Sequence, residues 1–545
     1  MCPQPLNQLV PDMGTLTRQD EDCLYLNIWT TDLAMNYRNA PVLVFFEGEG
    51  FVAGAPSRFP AQDLAAEGLV IVSVAYRLNV FGFFCLEDLE ARGNLGLLDQ
   101  YLALVWIHEN IAAFGGDPRS VTLMGHSAGA TSVMYHMISP RTANLFHRAI
   151  VMSGSILSPW SHSQHPANTS RAISRSLGCM VVNQTRQILT CLRNKSTTEI
   201  LRAFETQYMD GNWTDMILPV TDDFLPDIEQ YLPKSPLEAL RDGSFLKIPV
   251  LTGTTSHEGV IAISHWGGDL LAQGYSQLLK LFTSSILPMV MSRYGFHNHN
   301  SKAEIAAILK WQYIDSVKPG DTQGLISQLT DFYTDAQFKA PHLKQLQLLA
   351  KSDISVYAYQ FEQSGVDLFG KDFNISGAGH GTELVFLFGP TLIQSSIGRR
   401  FSSAEERLSI AIKRIWAEFI RQGSLGSNPY GYGFSWRKYS MEEDNYIILR
   451  TQTTLQPDRL KPDLDVMGRY RISMWNELLP QIRNISVSKT PTVKNGVKGM
   501  QLTTDQPYRS AMYTLIGFVV ILLILLIVCV ILLKRRAKER ERDLF

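Results

Sequence analysis

Residues 120–137 read SVTLMGHSAGATSVMYHM. A short apolar, β-branched run passes through Gly125, His126, Ser127, Ala128 and Gly129 into a stretch with helical spacing. A G-x-S-x-G string alone is weak, because roughly one chain in five of this composition holds one by chance. Placement decides its meaning. Strand, tight turn and helix follow one another, as they do where a serine sits on a strained strand-to-helix turn with its hydroxyl exposed at the end of a sheet. Glycines two residues to either side let strand and helix backbones approach closely. The plainer alternative is a serine that merely opens a helix between turn glycines.

Outward from this turn, short apolar runs alternate with longer helical patterns: VLVFF at 42–46, VIVSVAY at 70–76, RAIVMS at 148–153, IPVLTG at 248–253 and SVYAYQF at 355–361. Continuous apolar strands spaced by helices predict a large, mostly parallel sheet covered on both faces, an α/β class. The chain has 545 residues, 45% hydrophobic and 19% charged, enough for one large domain with a sizeable core. Its net charge of -1 gives no reason to expect a nucleic-acid partner.

A serine hydroxyl is a poor nucleophile until a histidine takes its proton and an acid orients that histidine. In this fold the chain order is serine, acid, histidine. Glu258, in TTSHEGV just past the 248–253 strand, and His380, in the glycine-rich string GAGHGTELVFLFG, stand in that order after Ser127. Spacing alone supports His380 weakly, as one of 12 histidines. No metal-ligand spacing and no dinucleotide loop is present, so neither a metal nor a cofactor is implied.

The C-terminal region departs from the rest. Residues 511–533, AMYTLIGFVVILLILLIVCVILL, carry no charge, and as a helix at 1.5 Å per residue they span the ~30 Å hydrocarbon layer. The following KRRAKERERDLF, 534–545, is basic, which predicts a cytoplasmic tail and a single-pass type I protein of the plasma membrane with its bulk outside. Residues 484–510 read as a polar stalk, leaving 1–483 as the ectodomain. Residues 1–30 contain no apolar leader, so either a preceding segment is missing or the chain is tail-anchored in the cytosol. Glycosylation sequons at Asn168, Asn183, Asn194, Asn212, Asn374 and Asn484 favour the former. Cysteine usage agrees: Cys85 and Cys529 read as apolar, while Cys2, Cys23, Cys179 and Cys191 allow two short disulfide loops, which spacing does not decide.

EDCLYLNIW (21–29), GNLGLLDQYLALVWI (93–107), FGGDP (114–118), GHSAG and GHGTELVFLFG together resemble the type-B carboxylesterase/cholinesterase family, over residues 2 to about 428. The resemblance implies an α/β-hydrolase fold, with Ser127 as nucleophile, Glu258 as triad acid and His380 as base. It implies disulfides Cys2–Cys23 and Cys179–Cys191, a buried Ser153 near the triad acid, and Trp160 as an acyl-pocket aromatic. Members begin some tens of residues before the position of Cys2, so an N-terminal segment is expected to be missing. Two departures stand out. Residues 3–22 hold no aromatic, so the cation–π partner of a choline ester is absent and such a substrate is not expected. Residues 47–51 read EGEGF where the family has HGGGF, which makes Glu49, Gly50 and Ala128 the positions of the oxyanion-binding amides. A charged Glu49 carboxylate ~5 Å from the oxyanion would cost about 3 kcal/mol at an effective dielectric near 20, comparable to losing one donor, or ~10²–10³ in rate.

These readings leave two principal functions: a membrane-tethered ester hydrolase, and a neuroligin-like cell-surface adhesion receptor binding a protein partner on the same scaffold with weak or no catalysis. A third idea gives Glu49 a role in positioning water against the acylated serine.

Overall fold

The computed structural model describes residues 1–5, 18–180, 184–209, 216–265, 270–366, 368, 377–426, 436–451 and 466–487. Ten strands form among them: β1 (Leu26–Trp29), β2 (Ala40–Phe46), β3 (Val70–Val74), β4 (Cys85–Asp88), β5 (Ala91–Arg92), β6 (Gly116–His126), β7 (Arg148–Met152), β8 (Val250–Thr255), β9 (Val356–Phe361) and β10 (Ile447–Leu449). β4 and β5 pair as a separate antiparallel hairpin. The other eight make one sheet in the order β1-β3-β2-β6-β7-β8-β9-β10. Every neighbour in it is parallel except the edge pair β1 and β3.

The strand residues explain this arrangement. Successive side chains on a strand face opposite sides of the sheet, yet Leu43, Val44, Phe45 and Phe46 of β2 are all buried, as is every residue of β3. Both faces are therefore covered, which a parallel sheet requires. Helix Ala128–Ile138 packs on β2, β6 and β7, and helix Ser403–Gln422 on β2 and β6. The second helix is well delimited: Ser402 and Glu405 form a capping box at its start, and Gly423 closes it in the left-handed conformation. The order places β6, which carries the 125–129 turn, beside the centre of the sheet, with β8 and β9 two and three strands away.

The six apolar runs read from the sequence are β2, β3, β6, β7, β8 and β9, and the mostly parallel sheet with helices is that of an α/β-hydrolase fold. Cys2–Cys23 and Cys179–Cys191 are both disulfide-bonded, and Cys85 is buried and free. Asn168, Asn194 and Asn484 are exposed; Asn183, Asn212 and Asn374 lie outside the described residues. Helix Leu479–Val487 covers the first four residues, 484–487, of the stretch read as a stalk, and just before them Ile482 packs against the core. Residues 511–533 and the basic tail lie outside the described residues; among those described, no helix is long and apolar enough to cross a membrane.

Helix Ala128–Ile138 crosses the end of β2 so closely that a Cβ on Gly129 would lie 1.8 Å from the Phe46 carbonyl oxygen. Gly129→Ala is therefore expected to destabilise the fold by about 3 kcal/mol or more, read as a lowered melting temperature of the purified chain. An unchanged melting temperature would mean that helix and strand do not approach in this way.

Candidate active site

Ser127 stands between β6 and helix Ala128–Ile138 with φ 56° and ψ −120°, a conformation that non-glycine residues rarely adopt. Two hydrogen bonds fix it: its amide donates to Met152 at 2.9 Å, and its carbonyl accepts from Thr131 at 3.1 Å. Gly125 is needed here as well, since a Cβ there would lie 2.1 Å from the Gly129 carbonyl oxygen. Ala128 opens the helix, so its amide is one of those with no acceptor within the helix. The positive end of the helix dipole lies at the same place.

The loops after β8 and β9 are stitched together. His257 and Gly379 form a parallel bridge, the His257 amide donates to Ala378, and the Ala378 amide donates to Ser256 Oγ at 2.8 Å. This stitching brings Glu258 and His380, 122 residues apart, into contact: His380 Nδ1 lies 2.5 Å from Glu258 Oε2. The second carboxylate oxygen of Glu258 accepts from the Thr255 amide at 2.7 Å. Both residues are fully buried. Burial pushes the Glu258 carboxyl up, but His380, with the hydrogen bond from the Thr255 amide, outweighs it and holds the group below its usual range. The His380 ring packs between Phe338 and His126, with centroids 5.0 and 4.5 Å away. Its face thus meets the residue that precedes Ser127. Among the described residues the Ser127 hydroxyl makes no hydrogen bond to His380; such contacts in unliganded sites commonly tighten only with substrate.

Ser153 also has a left-handed backbone, φ 53°, and donates from Oγ to Glu383 Oε1 at 2.8 Å. Glu383 was not singled out in the sequence, although it lies three residues after His380. Burial, and then the nearby Glu258, push its carboxyl up to about 8. Trp160 is buried; its indole donates to the Gln337 carbonyl at 3.0 Å and its ring packs on Phe338, which in turn packs on His380. A groove of about 750 Å³ lies beyond the loop before Trp160, lined by Ile156, Ser158 and Trp475 among others, and includes none of Ser127, Glu258 or His380.

The 47–51 loop differs from the expected geometry. The Glu49 amide donates to the Ala53 carbonyl at 2.9 Å, so it is engaged inside its own loop. The Glu49 carboxylate pairs with the buried Arg58 at 2.8 Å, which removes the expected ~3 kcal/mol repulsion. Glu47 is buried with them, 3.3 Å from Arg58 and bonded to the Ala55 amide at 2.5 Å. Sequence reading missed Arg58 because its pairing is tertiary and leaves no local pattern. Burial foremost, with Glu49 adding and Arg58 opposing, pushes the Glu47 carboxyl from 4.5 to about 8. With the Glu49–Arg58 ion pair in place, a protonated Glu47 leaves the cluster without net charge, which is the cheaper arrangement in a dry interior.

The comparisons follow the same lines. The model of the carboxylesterase family matches residues 1–466. An acetylcholinesterase of Bungarus fasciatus is 32% identical over 85% of this chain and 73% of its own. A pyrethroid hydrolase and an acylcarnitine hydrolase of Mus musculus are each 32% identical over 88% of this chain, and over 81% and 80% of their own.

A raised folded-state pKa means that Glu47 holds its proton more tightly in the fold than in the unfolded chain. Its contribution to stability is complete below about pH 4.5 and is lost as pH rises through about 8. Glu47→Gln has no such proton to lose. Between about pH 6 and pH 9 the melting temperature of the parent should fall more steeply than that of Glu47→Gln; parallel curves would contradict the assignment.

Proposed function

The chain belongs to the carboxylesterase family of carboxylic ester hydrolases, and from that premise we propose that Ser127, His380 and Glu258 hydrolyse a carboxylic ester through an acyl-enzyme. His380 Nε2 takes the proton of the Ser127 hydroxyl as Oγ attacks the ester carbonyl. Glu258 holds the imidazole at Nδ1 and stabilises the cation that forms. The imidazolium then protonates the departing alkoxide. Water, deprotonated by the same imidazole, attacks the acyl carbon, and the carboxylic acid leaves as Ser127 recovers its proton. The short Glu258–His380 hydrogen bond beside the strained serine turn is the observation that supports this reading most.

The amides of Gly50 and Ala128 serve the oxyanion in this proposal, and the Glu49 amide, turned to Ala53, does not. Turnover is therefore expected to lie ~10²–10³ below that of a site with three donors. Trp160 and Phe338 form an aromatic wall on the acyl side. The domain is tethered at the plasma membrane by residues 511–533, facing outward, with 534–545 inside; the uncharged run and its basic flank support that topology. The relatives' names point to acetylcholine, pyrethroids and acylcarnitines, and the ester class alone is adopted here.

A neuroligin-like adhesion role is the second reading, favoured by the engaged Glu49 amide and by the sequence layout of ectodomain, stalk and single span. It is distinguished by binding to a partner ectodomain that persists unchanged in Ser127→Ala.

A fluorophosphonate probe should label the folded chain once, at Ser127, and Ser127→Ala should abolish both labelling and ester hydrolysis, a loss of about 10⁴-fold or more. Folded parent protein that takes no label removes the hydrolase reading.

A further inference from the structure

We propose that His126 positions His380: a second imidazole, built into the nucleophile's own turn and backed by Glu383, sets the base in register with the serine it must deprotonate. This rests on the triad reading above.

His380 needs such support. It stands in a loop with glycine at 377, 379 and 381, and Gly381 is in the left-handed region at φ 80°, so its own backbone neighbours contribute no side-chain wall. The bond from Nδ1 to Glu258 holds one ring atom and leaves the ring free to swing about that contact. Two rings limit the swing, Phe338 at 5.0 Å and His126 at 4.5 Å, tilted by 50° and 46°. Only His126 is joined covalently to Ser127. With no Ser127–His380 hydrogen bond in the resting site, the ring contact with His126 is what relates base to nucleophile.

A carboxyl group stands behind His126: Nε2 of His126 lies 3.6 Å from Glu383 Oε1, beyond hydrogen-bond reach, and that oxygen accepts from Ser153 Oγ. His126 Nε2 and Glu383 Oε2 are both buried and have no hydrogen-bond partner among the described residues, so neither is committed elsewhere. Burial, and then His380, hold the His126 imidazole well below its usual range. A neutral ring at this place packs against the base without opposing the cation that forms on it.

The test compares parent, His126→Ala and His126→Phe of the full-length, detergent-solubilised chain on a short aryl ester. It is read together with the low-field proton resonance of the His380–Glu258 hydrogen bond. Loss of the wall should lower kcat by about 10- to 100-fold while KM stays within about 3-fold, and should weaken or abolish the resonance. Phenylalanine, which restores the ring, should bring kcat back to within about 5-fold and restore the resonance. His126→Ala with parental kcat and an intact resonance overturns the proposal. Should His126→Ala fail to fold, His126→Gln, without a ring but of similar size, is read in the same way. A parent that hydrolyses no ester sinks the esterase reading instead, and the resonance still decides the part of His126.

Discussion

A serine can be raised on a turn between strand and helix only if the two backbones nearly touch, and here they meet at Gly129, which lies against the Phe46 carbonyl at the end of β2. Any side chain there would push the helix off the sheet. Because the helix stays close, Ser127 is forced into its left-handed conformation, the Ala128 amide is left without an acceptor, and the helix N-terminus faces the place where negative charge would develop. Strain at Ser127 persists because the surrounding structure over-determines it: Met152 and Thr131 hold its amide and carbonyl, and β2 and β7 flank the strand it ends.

The second constraint is charge in a dry interior. Four carboxyl groups are buried near the ends of the central strands: Glu47, Glu49, Glu258 and Glu383. Two have positive or proton-donating partners that stabilise them as anions, Glu49 with Arg58 and Glu258 with His380. The other two, Glu47 and Glu383, each sit beside one of those anions and are pushed up to about 8. Like charges so close cannot both ionise cheaply. The site therefore keeps one anion per pair, and Glu258 is the one placed to serve the imidazole. Arg58 also draws the Glu49 carboxylate into the cluster, so a sequence feature that suggests a damaged oxyanion site becomes a buried ion pair. In the proposed reaction its effect falls on the backbone, through an amide committed to Ala53.

Much of this was legible in the residues. Six strands announced themselves because a sheet covered on both faces demands continuous apolar runs. Edge strand β1 did not, because its residues are mostly half-exposed and mix Asn27 with Leu26 and Ile28; nor did the three-residue β10. The serine turn could be read because its glycines carry a steric signature. Glu258 and His380 depend on a stitch between two loops far apart in sequence, which no local pattern records; chain order offered them as candidates, and the resemblance to a family gave them their roles. Arg58 and His126 were missed for the same reason: their significance lies in what they touch.

The most direct test of the account is a crystal structure of the full chain with a phosphonate bound covalently to Ser127. The account predicts the phosphoryl oxygen within about 3 Å of the Gly50 and Ala128 amides, the Glu49 amide still on Ala53, and His380 Nε2 turned toward the leaving-group side with Nδ1 on Glu258. A phosphoryl oxygen bound by the Glu49 amide, or a His380 ring swung away from Ser127, would contradict it.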